Sequence, residues 1–397
     1  MWEQIRSNQI RSVVLTIGMG VLLILIGYFL GAAFDSAITG LVIAILLWVI
    51  LSLVAYFQGD SILLSMSRAK KIKRDDHPRL YNVVEEMRIA SGLEKMPDIY
   101  IIDDPALNAF ATGRDPNRAS VAITSGLLQK LNRDELQGVI GHEISHIKNR
   151  DVLLMAMCGV LLGTIVLLAW YGGRLLIFGG AGSRRSSSSG GGGGAIIILV
   201  LALVFMILAP IFAQLIYFAI SRKREYLADA SSALYTRYPE GLASALEKLG
   251  ASTGQLKSAN KATAPMYIIN PFRKKGMKAS DLSSTHPPIS ERIRILRAMA
   301  GASFNNYDQA YRQVHGGMGV IPAASLTAET VPIATMKLEG EAGEPTEIQR
   351  ARETSDVMWR MSNYNTIICD CGAKLRVPPN FKEPQIKCPH CGRTHQI

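Results

Sequence analysis

Four long apolar runs constrain what this chain can fold into more than any other feature of its sequence. None has a charged residue in its interior, and they cover Val13–Phe34, Ile38–Phe57, Val152–Tyr171 and Ala195–Ile220. A helix needs about 20 apolar residues to cross the hydrocarbon core of a bilayer. We therefore expect four transmembrane helices. The sequence leaves two alternatives open: a signal peptide for the first run, and buried core helices for the third and fourth.

Basic residues cluster where two of these runs end, and their positions predict the topology. The cluster after the second run is Arg68, Lys70, Lys71, Lys73 and Arg74, and the one after the fourth is Arg222, Lys223 and Arg224. Lys and Arg accumulate on the cytoplasmic side of membrane helices. We expect a multi-pass protein of the inner (plasma) membrane, with both termini, residues 68–150 and the chain after residue 222 in the cytoplasm. A smaller group between the third and fourth runs disagrees: Arg174, Arg184 and Arg185.

The same clusters explain much of the formal net charge of +11. Juxtamembrane basic residues need no nucleic acid as a partner. The sequence has no basic patch interleaved with aromatic residues, so nucleic-acid binding is not expected. The lipid bilayer is the expected partner of the apolar runs.

The segment His142-Glu143-Ile144-Ser145-His146 has the pattern H-E-x-x-H. Residues four apart share one face of a helix, so His142 and His146 can bind the same metal ion. Asn132 and Glu135 predict a capping box at the start of this helix. Glu143 can take a proton from a water that zinc has activated. The pattern predicts a zinc hydrolase in which Glu143 is the general base.

A catalytic zinc site has three protein ligands and one open position, so a third ligand is needed. The best candidates are Glu225 and Asp229, four residues apart after the fourth apolar run. One can bind the metal while the other orients a histidine, and spacing alone does not say which. Two predicted crossings separate His146 from Glu225, which places both on the same side of the membrane.

Several separate motifs resemble the HtpX-type membrane zinc metalloproteases over residues 1–300. They are His142–His146, Arg222-x-x-Glu225-x-x-x-Asp229, Asn108-Ala109-Phe110-Ala111-Thr112-Gly113 and Thr285-His286-Pro287-Pro288. The resemblance implies a gluzincin-like fold, endopeptidase activity and a role in membrane-protein quality control. It also implies that His142, His146 and Glu225 bind zinc, while Asp229 orients a ligand. An extended substrate would lie along a strand at Asn108, Ala109 and Phe110.

The remaining histidines are less informative. His286 can donate a hydrogen bond to the oxyanion of the reaction, or it can brace the helix that is expected to start near Pro288. The sequence does not separate these two roles. His77 and His315 are expected to be surface residues.

Four cysteines near the C-terminus have the spacing of a zinc ribbon. They form Cys369-x-Cys371-Gly and Cys388-Pro-His-Cys391-Gly, with His390 and His395 as alternative ligands. In a reducing cytoplasm, four thiolates on a second, structural zinc ion are expected rather than disulfides. The partner of such a ribbon cannot be read from the sequence.

We expect a mainly helical α+β protein with four transmembrane helices, a cytoplasmic zincin-like protease domain and a small C-terminal ribbon. The predicted units are a membrane hairpin (1–60), a first protease part (61–150), a second hairpin with a Ser/Gly-rich loop (151–221), a second protease part (222–301), a linker (302–365) and the ribbon (366–397). The expected function is zinc-dependent cleavage of misfolded or damaged membrane proteins. The alternative is a non-catalytic membrane adaptor whose zinc sites are structural and whose ribbon recruits a partner.

Overall fold

The computed structural model describes residues 2–33, 36–153, 192–252, 266–269, 286–326 and 344–397, with 155, 163, 165–167, 169–171, 174, 254, 256, 257 and 333 between them. The described part is α+β and mainly helical. Its helices are α1 (Trp2–Ala33), α2 (Ala37–Met66), α3 (Pro78–Ser91), α4 (Ser125–Lys130), α5 (Arg133–Lys148), α6 (Gly192–Thr236), α7 (Pro239–Ala251), α8 (Ile289–Arg297), α9 (Phe304–His315) and α10 (Glu347–Met361). Its strands are β1 (Ala69–Lys71), β2 (Asp98–Ile102), β3 (Ala109–Asp115), β4 (Arg118–Thr124), β5 (Asn365–Ile368), β6 (Lys374–Val377), β7 (Gln385–Lys387) and β8 (Thr394–Gln396).

The first two helices form a close pair at glycine residues. A Cβ atom added to Gly40 of α2 would lie 2.2 Å from the carbonyl oxygen of Gly27 and 2.7 Å from Cα of Gly31, both in α1. Small residues four apart allow membrane helices to approach this closely. Among the described residues, α2 is long and apolar enough to cross a membrane, and Thr16–Ala32 is a shorter apolar helix. Most of the third apolar run and residues 184–191 of the Ser/Gly-rich stretch lie outside the described residues, so the four spans stay a prediction.

A four-stranded sheet with the order β1-β2-β4-β3 supports the predicted metal helix. β2 and β4 are parallel, whereas β1 and β3 are antiparallel to their neighbours. The carbonyl of Asn108 accepts a bond from the amide of Thr124 at 3.0 Å. Since bonding alternates along an antiparallel pair, Ala109 and Ala111 direct their peptide groups away from β4. β3 is one of the two edge strands of this sheet, and these peptide groups lie along its outer edge.

The helix α5 carries H-E-x-x-H and begins as the sequence predicted. Asn132 accepts a bond from the amide of Glu135 at 2.9 Å, and Glu135 accepts one from the amide of Asn132 at 2.9 Å. This reciprocal capping box fixes the first turn of the helix. The apolar side of α5 is fully buried in the main core, with Leu136, Val139, Ile140, Ile144 and Ile147 all 0% exposed.

One continuous helix of 45 residues, α6, contains both the fourth apolar run and the candidate third ligand. At 1.5 Å per residue it is about 67 Å long. It packs against α5 and α1. Glu225 and Asp229 therefore follow the predicted membrane segment without a break in the helix.

Two sequence predictions are wrong. Much of the predicted linker (302–365) is folded, since α9 and α10 bury Tyr307 and Val357 in the main core. Residues 327–332 and 334–343 lie outside the described part. Both helices are short and mostly polar, so their periodicity was missed. His77 was predicted to be a surface residue, but it is buried and only 2% exposed. Its Nδ1 accepts a hydrogen bond from the amide of Leu80 at the start of α3. His315 is exposed, as expected.

Candidate metal centre

The helices α5 and α6 bring together the two histidines of H-E-x-x-H and Glu225. Nε2 of His142 lies 3.3 Å from Nε2 of His146 and 3.4 Å from Oε2 of Glu225. Nε2 of His146 lies 3.6 Å from Oε1 of Glu225. His142 is fully buried and Glu225 is 4% exposed.

These distances fit a tetrahedral zinc ion. Two nitrogen or oxygen ligands, each about 2.0–2.1 Å from one tetrahedral zinc, are about 3.3 Å apart. The observed separations of 3.3, 3.4 and 3.6 Å need only small adjustments to reach this value. Two imidazoles and one carboxylate are also a donor set that zinc prefers. His142, His146 and Glu225 can therefore hold a zinc ion, and their role as its ligands stays a prediction.

Asp229 lies behind His142, one helical turn after Glu225. Its Oδ1 is 3.0 Å from Nδ1 of His142. Because an ionised carboxylate only accepts hydrogen bonds, Asp229 holds the Nδ1 proton, and Nε2 is the ring nitrogen that faces the metal position. Burial acts to lower the pKa of His142, but hydrogen bonds to Asp229 and Glu225 outweigh it and raise the pKa to about 9 in the metal-free site.

Arg292 of α8 fixes Asp229 in place, and sequence reasoning did not select it. Its guanidinium donates two bonds to the Asp229 carboxylate, at 2.8 and 2.6 Å, and a third to the carbonyl oxygen of Ile268 at 3.1 Å. The side chain is fully buried. A bidentate pair of this kind fixes both position and orientation. A lone arginine in a charged helical segment gave no signal of this role.

Asp151 supports His146 in the same way and was also missed. Its Oδ2 lies 3.2 Å from Nδ1 of His146, and it is 1% exposed. Asp151 follows the end of α5, five residues after His146, so it looked like the start of the next segment. Both predicted histidine ligands thus have a carboxylate behind them, as is common at zinc sites.

Glu143 is fully buried beside the two histidines. Its carboxylate oxygens make no hydrogen bond of normal geometry with the described residues, and the backbone of Ala111 lies close enough for a weak one. Burial raises the pKa of Glu143, and nearby His142 and His146 act in the opposite direction. A buried carboxylate without strong hydrogen bonds is expensive unless something else binds it. A proton acceptor next to the metal position is what a general base requires.

His286 lies at the site and not at a helix cap. Its Nε2 is 4.0 Å from Oε2 of Glu225, and it also bonds to the backbone of Tyr267. Burial lowers the pKa of His286 to about 4. The N-cap of α8 is Pro288, which has no side-chain capping bond. His286 therefore does not cap α8, and that form of the bracing alternative is wrong. The oxyanion role stays a prediction. Thr285 of the same motif lies outside the described residues.

The chain's own residues 266–269 occupy part of the β3 edge that was predicted for substrate. The amide of Ile268 donates to the carbonyl of Ala109 at 3.0 Å, and the side-chain amide of Asn108 donates to the carbonyl of Ile269 at 3.1 Å. Phe110 pairs with Tyr267, with ring centroids 5.1 Å apart. The substrate role of Asn108, Ala109 and Phe110 stays a prediction, and the open part of the edge starts at Ala111.

A small cavity of about 20 Å³ lies between the β3 edge and the predicted ligands. It is lined by Ala111, His146, Asp151, Val152, Met155, Arg224, Glu225 and Met266. A cavity of this volume has room for about one water molecule. A peptide can enter only after neighbouring side chains move.

The C-terminal residues form two small hairpins, β5–β6 and β7–β8, around four cysteines. Sγ of Cys369 lies 3.4 Å from Sγ of Cys391, and Sγ of Cys371 lies 3.7 Å from Sγ of Cys388. Sulfurs about 2.3 Å from a tetrahedral zinc are about 3.8 Å apart. Gly372 and Gly392 have φ values of 81° and 77°, which favour glycine after each cysteine pair. The four thiols can hold a metal ion, and the structure does not bring His390 or His395 into this cluster.

Comparisons with known proteins identify relatives of this chain. The family model described as Peptidase family M48 matches residues 74–300. A protein named Protease HtpX homolog from Dictyoglomus turgidum is 45% identical over 298 residues, which cover 75% of this chain and 94% of the relative. A protein of the same name from Streptococcus pyogenes is 44% identical over 300 residues, covering 75% and 100%. The crystal structure of S. mikatae Ste24p matches with a TM-score of 0.40 and 20% identity, covering 75% of this chain and 67% of that one.

Proposed function

The chain belongs to peptidase family M48, and from this premise we propose how this membrane zinc endopeptidase works. His142, His146 and Glu225 hold the catalytic zinc, and Glu143 is the general base. The observation that carries the proposal is the spacing of the three donor atoms, 3.3–3.6 Å, next to the fully buried carboxylate of Glu143. A second zinc is held by Cys369, Cys371, Cys388 and Cys391.

A zinc ion held by these three residues would lower the pKa of the attacking water to about 7 and would polarise the scissile carbonyl. Glu143 accepts the proton of the attacking water and passes it to the leaving amine. Asp229 and Asp151 hold the Nδ1–H groups of His142 and His146, so that both rings present Nε2 to the metal position. His286 donates a hydrogen bond to the oxyanion of the tetrahedral intermediate.

The substrates of this protease are proteins, and we assign misfolded or damaged membrane proteins among them. The edge of β3 recognises peptide groups rather than one side chain. It therefore suits any chain segment that can become extended. A folded protein offers few such segments, whereas a damaged one offers many.

We place the active site on the cytoplasmic side of the inner (plasma) membrane, in a chain with four spans. The basic clusters after α2 and at Arg222–Arg224 support this orientation. The guanidinium of Arg114 lies 5.6 Å from the ring centroids of both Tyr56 and Phe57. Since aromatic residues mark membrane interfaces, this contact supports a membrane surface at the end of the second run.

The topology is tested by cysteine labelling in intact cells and in inverted vesicles. Ser187→Cys should react only from outside the cytoplasm, and Met318→Cys, at a position that is 90% exposed, only from the cytoplasm. Reaction of both positions from the same side would contradict the four spans.

The activity is tested by incubating the purified full-length protein with a destabilised membrane protein. Cleavage should stop when a chelator removes zinc, return when zinc is added, and be at least about 100-fold slower in Glu143→Gln. Glu94→Gln makes the same chemical change at an exposed position and should cleave normally. Near-normal cleavage by zinc-loaded Glu143→Gln would disprove the mechanism.

No comparison supports the alternative of a non-catalytic adaptor. A structural zinc site would also have no use for a fully buried carboxylate beside its histidines at position 143.

A further inference from the structure

Arg224 directly precedes Glu225 on α6 and is a buried arginine with unused donor groups. The residue is 4% exposed, and its Nε lies 3.5 Å from Oδ1 of Asp151. Neither Nη1 nor Nη2 has a hydrogen-bond partner in the part of the chain that the structure describes. Burying charged donors without partners is unfavourable. These groups are therefore positioned for a partner that comes from outside.

The guanidinium of Arg224 lines the small cavity at the metal centre. Ala111 of the β3 edge lines the same cavity, together with His146 and Glu225. A peptide that adds to β3 at Ala111 must therefore pass between that strand edge and Arg224. In an extended chain, successive peptide groups point in opposite directions. Those that do not bond to β3 point towards the opposite wall of the cleft.

We propose that Arg224 binds backbone carbonyl oxygens of the substrate on the side of the extended peptide that faces away from β3. The proposal rests on the proposed function, since it assumes a peptide bound beside the metal centre. A guanidinium presents several N–H donors in a fixed plane and accepts nothing. It can thus donate to a carbonyl oxygen that points away from β3 and hold the peptide against the strand edge.

The surrounding charge favours neutral carbonyl oxygens over a carboxylate as the ligand. Asp151 already lies 3.5 Å from Arg224, and the carboxylates of Glu225 and Glu143 lie at the same centre. A further negative group would be repelled by these acids. A carbonyl oxygen accepts the same hydrogen bonds without that repulsion.

Met266 is one of the residues that line the cavity of about 20 Å³. Methionine has three rotatable side-chain bonds and adapts readily to a new neighbour. A methionine at this position can therefore adjust to a bound peptide.

The test measures binding of a fluorescent unfolded peptide to full-length, zinc-loaded Glu143→Gln protein in nanodiscs, so that no cleavage occurs. Adding Arg224→Gln should raise Kd at least about tenfold, because hydrogen bonds to a charged donor are among the stronger ones. The zinc content should not change. Arg224→Lys, which keeps the charge near Asp151 but not the planar fork, should give an intermediate Kd.

Lys223→Gln is the matched control, because it removes the same charge from the neighbouring, exposed position on α6. Its Kd should equal that of the parent. An unchanged Kd in Arg224→Gln, or loss of zinc with a normal Kd after zinc is restored, would overturn the proposal and leave the proposed function intact. Failure of the Glu143→Gln parent to bind any unfolded peptide would overturn both.

Discussion

His146 donates its Nδ1–H to Asp151, a residue beyond the end of its own helix, over 3.2 Å. This bond sets which ring nitrogen is free, so the orientation of a predicted zinc ligand depends on a carboxylate outside the H-E-x-x-H motif. His142 has the corresponding bond to Asp229, over 3.0 Å. The two histidines are therefore held from two different directions, one by the chain after α5 and one by α6.

Asp151→Asn should weaken zinc binding by about 10–100-fold, because the amide is a poorer acceptor for the Nδ1–H of His146. Zinc titration with a competing chelator measures this change. Asp103→Asn alters an exposed aspartate and serves as the control. Equal zinc affinity in Asp151→Asn and the parent would show that the bond does not orient the ligand.

Glu225→Ala should lose the catalytic zinc, because the two histidines that remain are too few protein ligands to hold it. Asp229→Ala should keep a weakened site, since it removes only the support behind His142. Metal analysis after dialysis against a fixed zinc buffer compares the two variants. If Asp229→Ala lost the metal and Glu225→Ala kept it, the two assignments would have to be exchanged.

His77 should make the protein less stable in mild acid. Burial, with help from Arg79, lowers the pKa of His77 to about 4, whereas an unfolded histidine has a pKa of about 6.5. The free energy of unfolding is therefore not reduced by this group above pH 6.5. As the pH falls towards 4, it should decrease by up to about 3 kcal/mol.

His77→Asn keeps an acceptor at the start of α3 and removes the titrating group. Thermal unfolding of both proteins between pH 7.5 and 4.5 measures the effect. As the pH falls, the free energy of unfolding of His77→Asn should rise relative to that of the parent. Parallel curves would show that His77 does not contribute.

Gly40→Leu should destabilise the helix pair α1–α2 by about 1–3 kcal/mol, because the new side chain meets the backbone of Gly27 and Gly31. Thermal unfolding in a mild detergent measures the change. Gly18→Leu is the matched control in α1, since a Cβ there has nothing within 4 Å. Equal effects of the two substitutions would contradict close packing at Gly40.

A chain that ends at Asn365 should lose one equivalent of zinc and still cleave a small unfolded substrate. The four cysteines lie after this point, whereas α10 stays and keeps its contacts with the protease core. Metal analysis and a peptide assay check both parts. Complete loss of activity in a folded, singly zinc-loaded truncation would show that the ribbon belongs to the catalytic unit.

The sequence was most informative where one short segment determines a structure. The capping box at Asn132 and the spacing of His142 and His146 are local, so α5 was predicted closely. Glu225 needed a family resemblance, because 79 residues separate it from His146 in the sequence.

The features that were missed depend on distant contacts. Arg292 becomes part of the site only because α8 packs beside α6, and nothing in its neighbouring residues indicates burial. The folding of α9 and α10 depends on a core that other segments supply. Residues 266–269 pair with β3 across more than 150 residues of chain, a distance at which local patterns carry no information.

The continuity of α6 has a consequence for how this chain can vary. Each residue of an α-helix moves the chain 1.5 Å along the helix axis and rotates it by about 100° around that axis. One residue inserted between Ile220 and Glu225 would rotate the carboxylate away from His142 and His146, whatever that residue was. The apolar part of this helix can exchange one side chain for another, because a substitution leaves Glu225 at the same angle around the helix. The number of residues between the apolar part and Glu225 is fixed, because an insertion or deletion changes that angle.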